Sequence, residues 1–285
     1  MYVVLGATGN IGSQVVESLK SEGQTVIAVA HDQTKAIALT NGNVVGVSVD
    51  VANADALRDI LRRGSRAFLL NPPAAPTTDT NAEELRTARA IAKAVEGSGL
   101  EKVVVASAYG AQRGDRIGDL SVLWEFERLI EKAGIPAAVN RGAYYYTNLD
   151  MLIEPARGGD LPTPFPADFV LPMVSPIDLG KAAASRLTSP VGDVALEFVE
   201  GPKRYSFADV AAILSKVLSR EVHLKNIARD QIEASYRQQG FSQPAAEAYT
   251  RMTIATLDGP EFPANAVRGI VTLEEHVTSL RDVKP

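Results

Sequence analysis

The sequence contains no cysteine and only three histidines, and both shortages exclude classes of functional site. Without cysteine there is no disulfide, no thiolate nucleophile and no cysteine-ligated zinc. His31, His223 and His276 are too widely separated to show metal-ligand spacing, so we expect no metal centre. The net charge of -5 also argues against nucleic acid or an anionic membrane as a partner.

Long hydrophobic runs are missing as well. No apolar stretch approaches the roughly 20 residues that a membrane-spanning helix needs. A strand pattern begins at residue 2 and leaves no room for a signal peptide, so we expect a cytoplasmic protein. The 285 residues, 46% of them hydrophobic, are enough for one large domain or two unequal ones.

A glycine-rich stretch, Gly6-Ala7-Thr8-Gly9-Asn10-Ile11-Gly12, stands between a strand pattern at residues 2–5 and a helix pattern. The helix pattern consists of apolar residues at helical spacing, namely Ile11, Val15, Val16 and Leu19. Glycine lets the backbone of such a turn approach a pyrophosphate, and the first N–H groups of the helix attract phosphates. This position favours a nucleotide site over an ordinary strand-to-helix connection.

The first half of the chain alternates between the two patterns. Strands are predicted at 24–30, 44–49, 66–70, 102–106 and 137–140, and helices at 35–39, 54–63, 82–96 and 120–132. This alternation is typical of an α/β fold, a Rossmann-type doubly wound parallel sheet whose ligands lie beyond the carboxyl ends of the strands. We therefore expect the strand-end segments to converge on one rim, namely 6–12, 31–35, 50–51, 71–73, 107–110 and 141–148.

The second half has a different character. Residues 155–176 hold six prolines and are expected to form loop or edge structure. Helices are predicted at 177–187 and 207–218, a strand at 195–199 and a mostly helical remainder. We expect a sheet domain of residues 1–150 plus about 168–199. A smaller, mostly helical domain, about 151–167 and 200–285, would cover the rim.

Several segments in addition to the glycine-rich turn carry a family resemblance. They are 68–73 (FLLNPP), 105–111 (VASAYGA), 141–148 (RGAYYYTN), 174–180 (VSPIDLG) and 201–202 (GP). In this order they resemble the NmrA-like branch of the atypical short-chain dehydrogenases/reductases. That branch includes small bacterial quinone and triphenylmethane-dye reductases and a fungal regulator. The resemblance implies a Rossmann domain with a discontinuous small domain, and NADP(H) as the ligand.

The resemblance also bears on the choice of cofactor. NADP-preferring relatives carry an arginine just past the second strand and a lysine four residues later; this chain has His31 and Lys35 there. Histidine is only partly charged at neutral pH, so it is a poorer partner for the 2′-phosphate than arginine. Asp32 is near, but Ala30 stands where an NAD enzyme would have its carboxylate. We expect NADP, with NAD still possible; the alternative is that His31 and Asp32 only cap the next helix.

The remaining cofactor contacts follow from the resemblance. Asp50 and Val51 should lie at the adenine edge, although Asp50 could equally be a helix cap, and Ser107 should hold the backbone beside the nicotinamide. The full predicted cofactor set is Gly6, Thr8, Gly9, Asn10, Ile11, Gly12, His31, Lys35, Asp50, Val51, Asn71, Pro72, Pro73, Ser107 and Tyr144.

The familiar proton donors are missing. No tyrosine has a lysine four residues later, so the Tyr-x-x-x-Lys pair of typical short-chain dehydrogenases is absent. Tyr109 comes nearest, with Arg113 in that place, but it follows the fifth strand too early. Some quinone-reducing relatives carry a histidine or lysine at the position of Leu123. The catalytic group therefore stays unassigned, and Tyr109 and Tyr145 are the remaining candidates.

The missing donors favour an acceptor that needs no acid. Hydride transfer to a simple ketone makes an alkoxide, whereas transfer to a quinone makes a phenolate-like anion whose conjugate acid has a pKa of ~10. We therefore expect reduction of quinone-like or other conjugated acceptors, with Trp124, Tyr145 and Asn148 as acceptor contacts. Packing in the core or at an interface is the alternative for Trp124 and for two of the three consecutive tyrosines.

Two other functions stay open at this point. One is an NADP(H) sensor without turnover that signals to a regulatory protein partner. The other is a scaffold that has lost its cofactor, although the three glycines of the turn argue against it. A homodimer is also possible, since the outer helices of such sheets commonly pair.

Overall fold

The computed structural model describes residues 1–259 and 262–281. The strands are β1 (Tyr2–Val4), β2 (Val26–Ala30), β3 (Val44–Ser48), β4 (Arg66–Leu69), β5 (Lys102–Ala108), β6 (Ala137–Gly142), β7 (Tyr144–Tyr145), β8 (Asp160–Thr163), β9 (Val170–Val174), β10 (Leu196–Glu200), β11 (Arg204–Ser206), β12 (His223–Asn226) and β13 (Val267–Arg268). The α-helices are α1 (Asn10–Ser21), α2 (Gln33–Leu39), α3 (Ala54–Leu61), α4 (Thr80–Val95), α5 (Asp119–Lys132), α6 (Ile153–Gly158), α7 (Pro176–Thr188), α8 (Phe207–Leu218), α9 (Ile232–Gln238), α10 (Gln243–Leu257) and α11 (Leu273–Leu280). Two 3-10 segments lie at Tyr146–Leu152 and Arg229–Gln231.

Eight strands form one parallel sheet in the order β13-β10-β6-β5-β4-β1-β2-β3. The chain builds outward from β1 to β3 and then returns to the other side of β1 with β4. The strand order therefore reverses between β1 and β4, the place where such sheets bind ligands. The predicted Rossmann-type α/β fold is confirmed.

Two apolar layers cover the sheet because successive residues of a strand point to opposite faces. In β1, Val4 joins the layer under α1 and α7, whereas Val3 packs on the other side, under α3, α4 and α5. The inner strands are buried on both faces, as β2 shows with five consecutive buried residues. This double burial explains why the strands read as continuous apolar runs.

A smaller C-terminal region has an apolar cluster of its own. It includes the stacked rings of Phe165 and Phe207, whose centroids are 4.8 Å apart, and the fully buried Tyr146 and Tyr205. Two small sheets belong to it, β11-β9-β7 and β12-β8. β13 leaves this region to pair with β10 at the edge of the large sheet. The proposed domain boundaries stay a prediction.

The prediction of loop or edge structure for residues 155–176 was wrong for β9 and for residues 155–158, which belong to α6. This strand is the middle strand of its sheet although it contains Pro172. The sheet tolerates the proline because the two-residue β7 pairs only with Met173 and Val174, so no N–H of residue 172 is needed on that side. Within the described ranges, no helix has both the length and the apolar character required to cross a membrane.

A buried polar network lies at the edge of the large sheet where its parallel strands begin. Lys102 is fully buried, and its Nζ donates to Ser189 Oγ at 2.7 Å and lies 3.7 Å from Asp193 Oδ2. The Arg186 guanidinium also donates to Asp193, at 2.9 Å. The hydrogen bonds from Arg186 and Ser189 lower the pKa of Asp193 to about 2.

We predict that Asp193→Asn lowers the free energy of unfolding at pH 7 by about 1–3 kcal/mol, because Arg186 and Lys102 lose a charged partner. An aspartate with a lowered pKa stabilises the fold above its unfolded value of about 4 and loses this effect as the pH falls through 2. Denaturant unfolding should therefore show the difference vanish at about pH 2. Asp59→Asn, at an exposed ion pair with Arg62, is the control and should change the free energy by less than about 0.5 kcal/mol.

Candidate functional site

The parallel sheet places the predicted strand-end segments along a single edge. Segments 6–12, 31–35 and 50–51 follow β1, β2 and β3, and segments 71–73 and 107–110 follow β4 and the end of β5. Residues 141–148 continue from the end of β6 into β7. We call this edge the rim.

The glycine-rich turn packs too tightly for a side chain at position 12. Gly6 has φ +65°, and its carbonyl accepts a hydrogen bond from Gly9 N at 2.9 Å. A Cβ at Gly12 would lie 2.2 Å from the Gly6 carbonyl oxygen and 2.6 Å from its carbon. Only glycine fits at position 12, because real contacts of a Cβ with backbone atoms are never that short.

The amino terminus of α1 has the properties of an anion site. Gly9 precedes the helix and has no side chain with which to cap it, and the first turn carries no acidic residue. Thr8, Gly9 and Asn10 are exposed. The first N–H groups of a helix have no partner inside it and carry a partial positive charge. The turn therefore fits the phosphates of a dinucleotide.

In the segment after β2, one polar side chain caps the next helix and two basic side chains are exposed to solvent. Asp32 Oδ1 accepts a hydrogen bond from Lys35 N at 2.8 Å and caps α2, the structural role that the alternative assigned to it. The side chains of His31 and Lys35 are exposed, and the His31 carbonyl accepts from Ser48 Oγ at 2.9 Å. The two basic side chains thus remain available beside the rim.

Asp50 lines a basic groove that the sequence analysis missed. Asn53, rather than Asp50, is the N-cap of α3, and Asp50 Oδ1 accepts from Ala52 N at 2.9 Å. The groove has a volume of about 560 Å³, and its charged lining consists of Arg86, Arg89 and Lys93 of α4 with Asp50 and Asp55. The spacing of these basic residues on one helical face was the available signal.

The side-chain NH2 group of Asn71 is hydrogen-bonded to α4. Its Nδ2 donates to the Glu84 carbonyl at 3.1 Å, whereas its Oδ1 is buried without a hydrogen-bond partner among the described residues. Pro72 is half-buried and Pro73 is exposed. Val51, in the loop after β3, is half-buried and packs against the apolar layer under α3 and α4.

A second network, also missed from the sequence, ties β5, α5 and β6 together. Ser107 Oγ donates to Glu127 Oε1 at 2.5 Å, and Arg141 donates to both carboxylate oxygens of Glu127, at 2.9 and 2.8 Å. Glu127 is 2% exposed. The Ser107 hydroxyl is therefore bound to a buried carboxylate, which orients the strand ends.

The rings of the two candidates for the catalytic group pack against apolar neighbours. The Tyr109 ring packs edge-on against Phe198 at 5.1 Å, and its hydroxyl is buried without a partner in the described part of the chain. The Tyr145 ring lies against Gly142 and Leu179. Burial raises the pKa of both tyrosines above the ordinary value, so both hydroxyls are poor acids.

Tyr146, one of the three consecutive tyrosines, is a packing residue. It is fully buried, and its hydroxyl donates to the Val271 carbonyl at 3.1 Å. Tyr144 and Trp124 are half-buried, and Asn148 is exposed in the 3-10 segment. Leu123 packs with the apolar layer beneath α5. Among residues 1–259 and 262–281, no group of three or more acidic or histidine side chains is arranged to hold a metal ion.

Comparison with known proteins identifies the family of this chain and solved structures with a similar fold. Residues 2–256 match the NmrA-like family. The chain is 23% identical over 253 residues to the NAD(P)H azoreductase of Xenophilus azovorans, covering 88% of this chain and 86% of that one. Its fold superposes on the NADPH complex of the Escherichia coli quinone oxidoreductase QOR2 with a TM-score of 0.83, at 20% identity over 98% of this chain and 99% of that one. The NADP(H) complex of Citrobacter triphenylmethane reductase gives 0.80, at 20% identity and the same coverage.

We predict that Gly12→Ala lowers the free energy of unfolding by about 1–3 kcal/mol, because the added methyl group must push α1 away from the Gly6 carbonyl. Chemical denaturation measures the change. Gly158→Ala is the matched control, since a Cβ there meets nothing within 4 Å. Equal stabilities of the two variants would contradict the close packing of the turn.

Proposed function

The chain belongs to the NmrA-like family, and we propose that it is an NAD(P)H-dependent reductase of quinone-like and other conjugated acceptors. One observation carries the proposal: the uncapped amino terminus of α1 stands at the end of β1, where Gly12 leaves no room for a side chain. Such a turn has a use when a phosphate approaches the backbone. The azoreductase and the quinone oxidoreductase, whose names include NAD(P)H or NADPH, support the same cofactor class.

We propose NADP(H) rather than NAD(H) because of the segment after β2. Asp32 is occupied in capping α2, so its carboxylate is not offered to a ribose hydroxyl. His31 and Lys35 are exposed there and would face the 2′-phosphate. Asp50 and Val51 would lie at the adenine, Asn71, Pro72 and Pro73 at the inner ribose, and Ser107 and Tyr144 beside the nicotinamide.

The bound cofactor would supply a hydride. The reduced acceptor must then be stable as an anion, because no strong acid lies beside it. Burial makes Tyr109 and Tyr145 poor acids, and Leu123 packs into an apolar layer. A conjugated acceptor meets this requirement, because its reduced form spreads the negative charge. The Tyr145 ring would stack on such a flat molecule, with Trp124 and Asn148 as further contacts.

A second candidate function is a sensor that binds NADP(H) without turnover and signals to a protein partner. The observation that favours it is the same lack of a proton donor at the positions where relatives carry one. Both candidates require dinucleotide binding, and turnover separates them.

We predict that Gly9→Asp keeps the protein folded but weakens NADPH binding by about 100-fold or more, because a carboxylate then occupies the place of the phosphates. Gly9 has φ -90° and ψ 174°, a conformation in which aspartate caps a helix well. A Cβ at Gly9 would lie 3.3 Å from the Gly6 carbonyl oxygen, which calls for only a small shift of the turn, so the protein should stay folded. Titration calorimetry with NADPH, NADP, NADH and NAD measures the effect. Gly9→Asn, which caps without charge, should lose less affinity; an equal loss would point to a steric cause.

We also predict that purified protein oxidises NADPH with quinones at a kcat/KM at least ~100-fold above that with simple ketones, since general acid catalysis is worth about that factor or more. Steady-state absorbance with a panel of both classes tests this. Comparable rates for ketones would refute the argument from the missing donor. Tight NADPH binding with no turnover on any acceptor would favour the sensor.

A further inference from the structure

The basic groove on α4 lies beside the rim and shares only Asp50 with the predicted cofactor contacts. One of its walls is formed by Arg86, Arg89 and Lys93 of α4. The other wall is formed by Asp50 and residues 52–55, in the loop after β3 and the start of α3. Its volume of about 560 Å³ is in the range of ligand-binding clefts.

The three basic side chains form a stripe on the outer face of α4. Positions 86, 89 and 93 are separated by three and four residues, which places their side chains on one side of a helix. All three are exposed, and the stripe is roughly 10 Å long at a helical rise of about 1.5 Å per residue. No acidic residue occurs in the segment 85–95. In a chain with 34 acidic and 29 basic residues, the stripe is a local excess of positive charge.

Two of these basic groups have no anionic partner. Arg86 forms an ion pair with Glu83 at 2.8 Å. In the described ranges 1–259 and 262–281, by contrast, the side chains of Arg89 and Lys93 form no ion pair and no hydrogen bond. Their charges are therefore free to pair with an anionic group that enters the groove.

The two carboxylates of the groove are bound elsewhere. Asp55 forms an ion pair with Arg58 at 2.8 Å, and Asp50 Oδ1 accepts a hydrogen bond from Ala52 N at 2.9 Å. Each carboxylate is exposed and keeps a second oxygen that can accept a hydrogen bond. The lining thus combines two unpaired cations with free acceptor oxygens.

Arg58 holds the two walls of the groove together. Besides its ion pair with Asp55, its guanidinium donates to the carbonyls of Lys93 at 2.6 Å and Glu96 at 3.0 Å, both on α4. Only 19% of the Arg58 side chain is exposed. One side chain therefore joins α3 to α4, and the groove is present before a ligand arrives. A preformed site lowers the cost of ordering on binding.

This lining fits an acidic peptide better than a nucleic acid. Asp50 and Asp55 would repel closely spaced phosphates, and a stripe of roughly 10 Å meets few of them. A peptide brings carboxylates for the basic stripe and backbone N–H groups for the free carboxylate oxygens. The remaining lining includes Ala52, Ala54 and Ala90, whose short side chains leave room for an extended backbone.

We propose that the basic groove is the docking site for an acidic segment of a partner protein, whose carboxylates pair with Arg89 and Lys93. The inference goes beyond the proposed function and holds for a reductase and a sensor alike, because the groove requires no turnover. Asp50 belongs both to the groove and to the predicted adenine edge. A docked segment would therefore lie next to the dinucleotide.

Fluorescence anisotropy of a fluorescein-labelled hexaglutamate peptide, titrated with the full chain, tests the proposal. We expect binding that weakens as the salt concentration rises from about 20 mM to about 200 mM, because the paired charges are exposed. Labelled hexaglutamine should not bind. A labelled hexathymidylate, an oligonucleotide of similar charge, should bind more weakly than hexaglutamate.

Two double variants with the same change of net charge locate the site. Arg89→Gln combined with Lys93→Gln should weaken hexaglutamate binding about tenfold. Arg63→Gln combined with Lys132→Gln, at exposed positions outside the groove, should change it less than about twofold. All four side chains are exposed, so both variants should keep the circular dichroism spectrum and thermal unfolding of the parent protein.

Failure of hexaglutamate to bind, or equal weakening in the two double variants, would overturn the inference. Tighter binding of hexathymidylate would make the groove a nucleic-acid surface instead, and displacement of the peptide by NADPH would make it part of the dinucleotide site. The titrations are run with and without NADPH, so failure of dinucleotide binding is a separate result. That failure would count against the proposed function and not against the docking site.

Discussion

The contact between Gly12 and the Gly6 carbonyl determines how closely α1 approaches β1. Because of this approach, the amino end of the helix stands directly at the carboxyl end of the strand, beside the reversal of strand order between β1 and β4. A side chain at position 12 would separate the helix from the turn and remove the anion site. The remainder of the rim is arranged around this point, since each neighbouring strand delivers its own polar segment to the same edge.

The two ends of the rim carry different polar groups. Its α1 end presents helix N–H groups, with the basic side chains of His31 and Lys35 nearby, and suits phosphates. Near its other end, Glu84 of α4 is buried and its Oε1 accepts a hydrogen bond from Ala74 N at 2.9 Å. Between the two ends, the hydrogen bonds of Ser107 and Arg141 to the buried Glu127 hold the ends of β5 and β6 in place. A dinucleotide with its phosphates at one end would bring its nicotinamide towards the other.

Local patterns predicted the fold well, because its determinants are local. Buried parallel strands read as apolar runs, such as Val26–Ala30, and the glycine spacing revealed the turn of α1. Prolines were misleading for β9, whose short neighbour needs no N–H from Pro172. The Glu127 network escaped prediction because its members come from separate elements that meet only after folding. The helical spacing of Arg86, Arg89 and Lys93 is visible in the sequence. The sequence does not show that the loop after β3 lies opposite them and completes a groove.

The most direct test of dinucleotide binding at the glycine-rich turn is an NMR titration with NADPH that follows the backbone amide signals. A dinucleotide bound at the turn should give the largest chemical-shift changes on the amides of Gly9 to Gly12, with smaller changes at His31 and Asn71. Binding at the turn would be contradicted if these amides were unmoved and the changes centred on the groove of Arg86, Arg89 and Lys93, the other basic surface beside the rim.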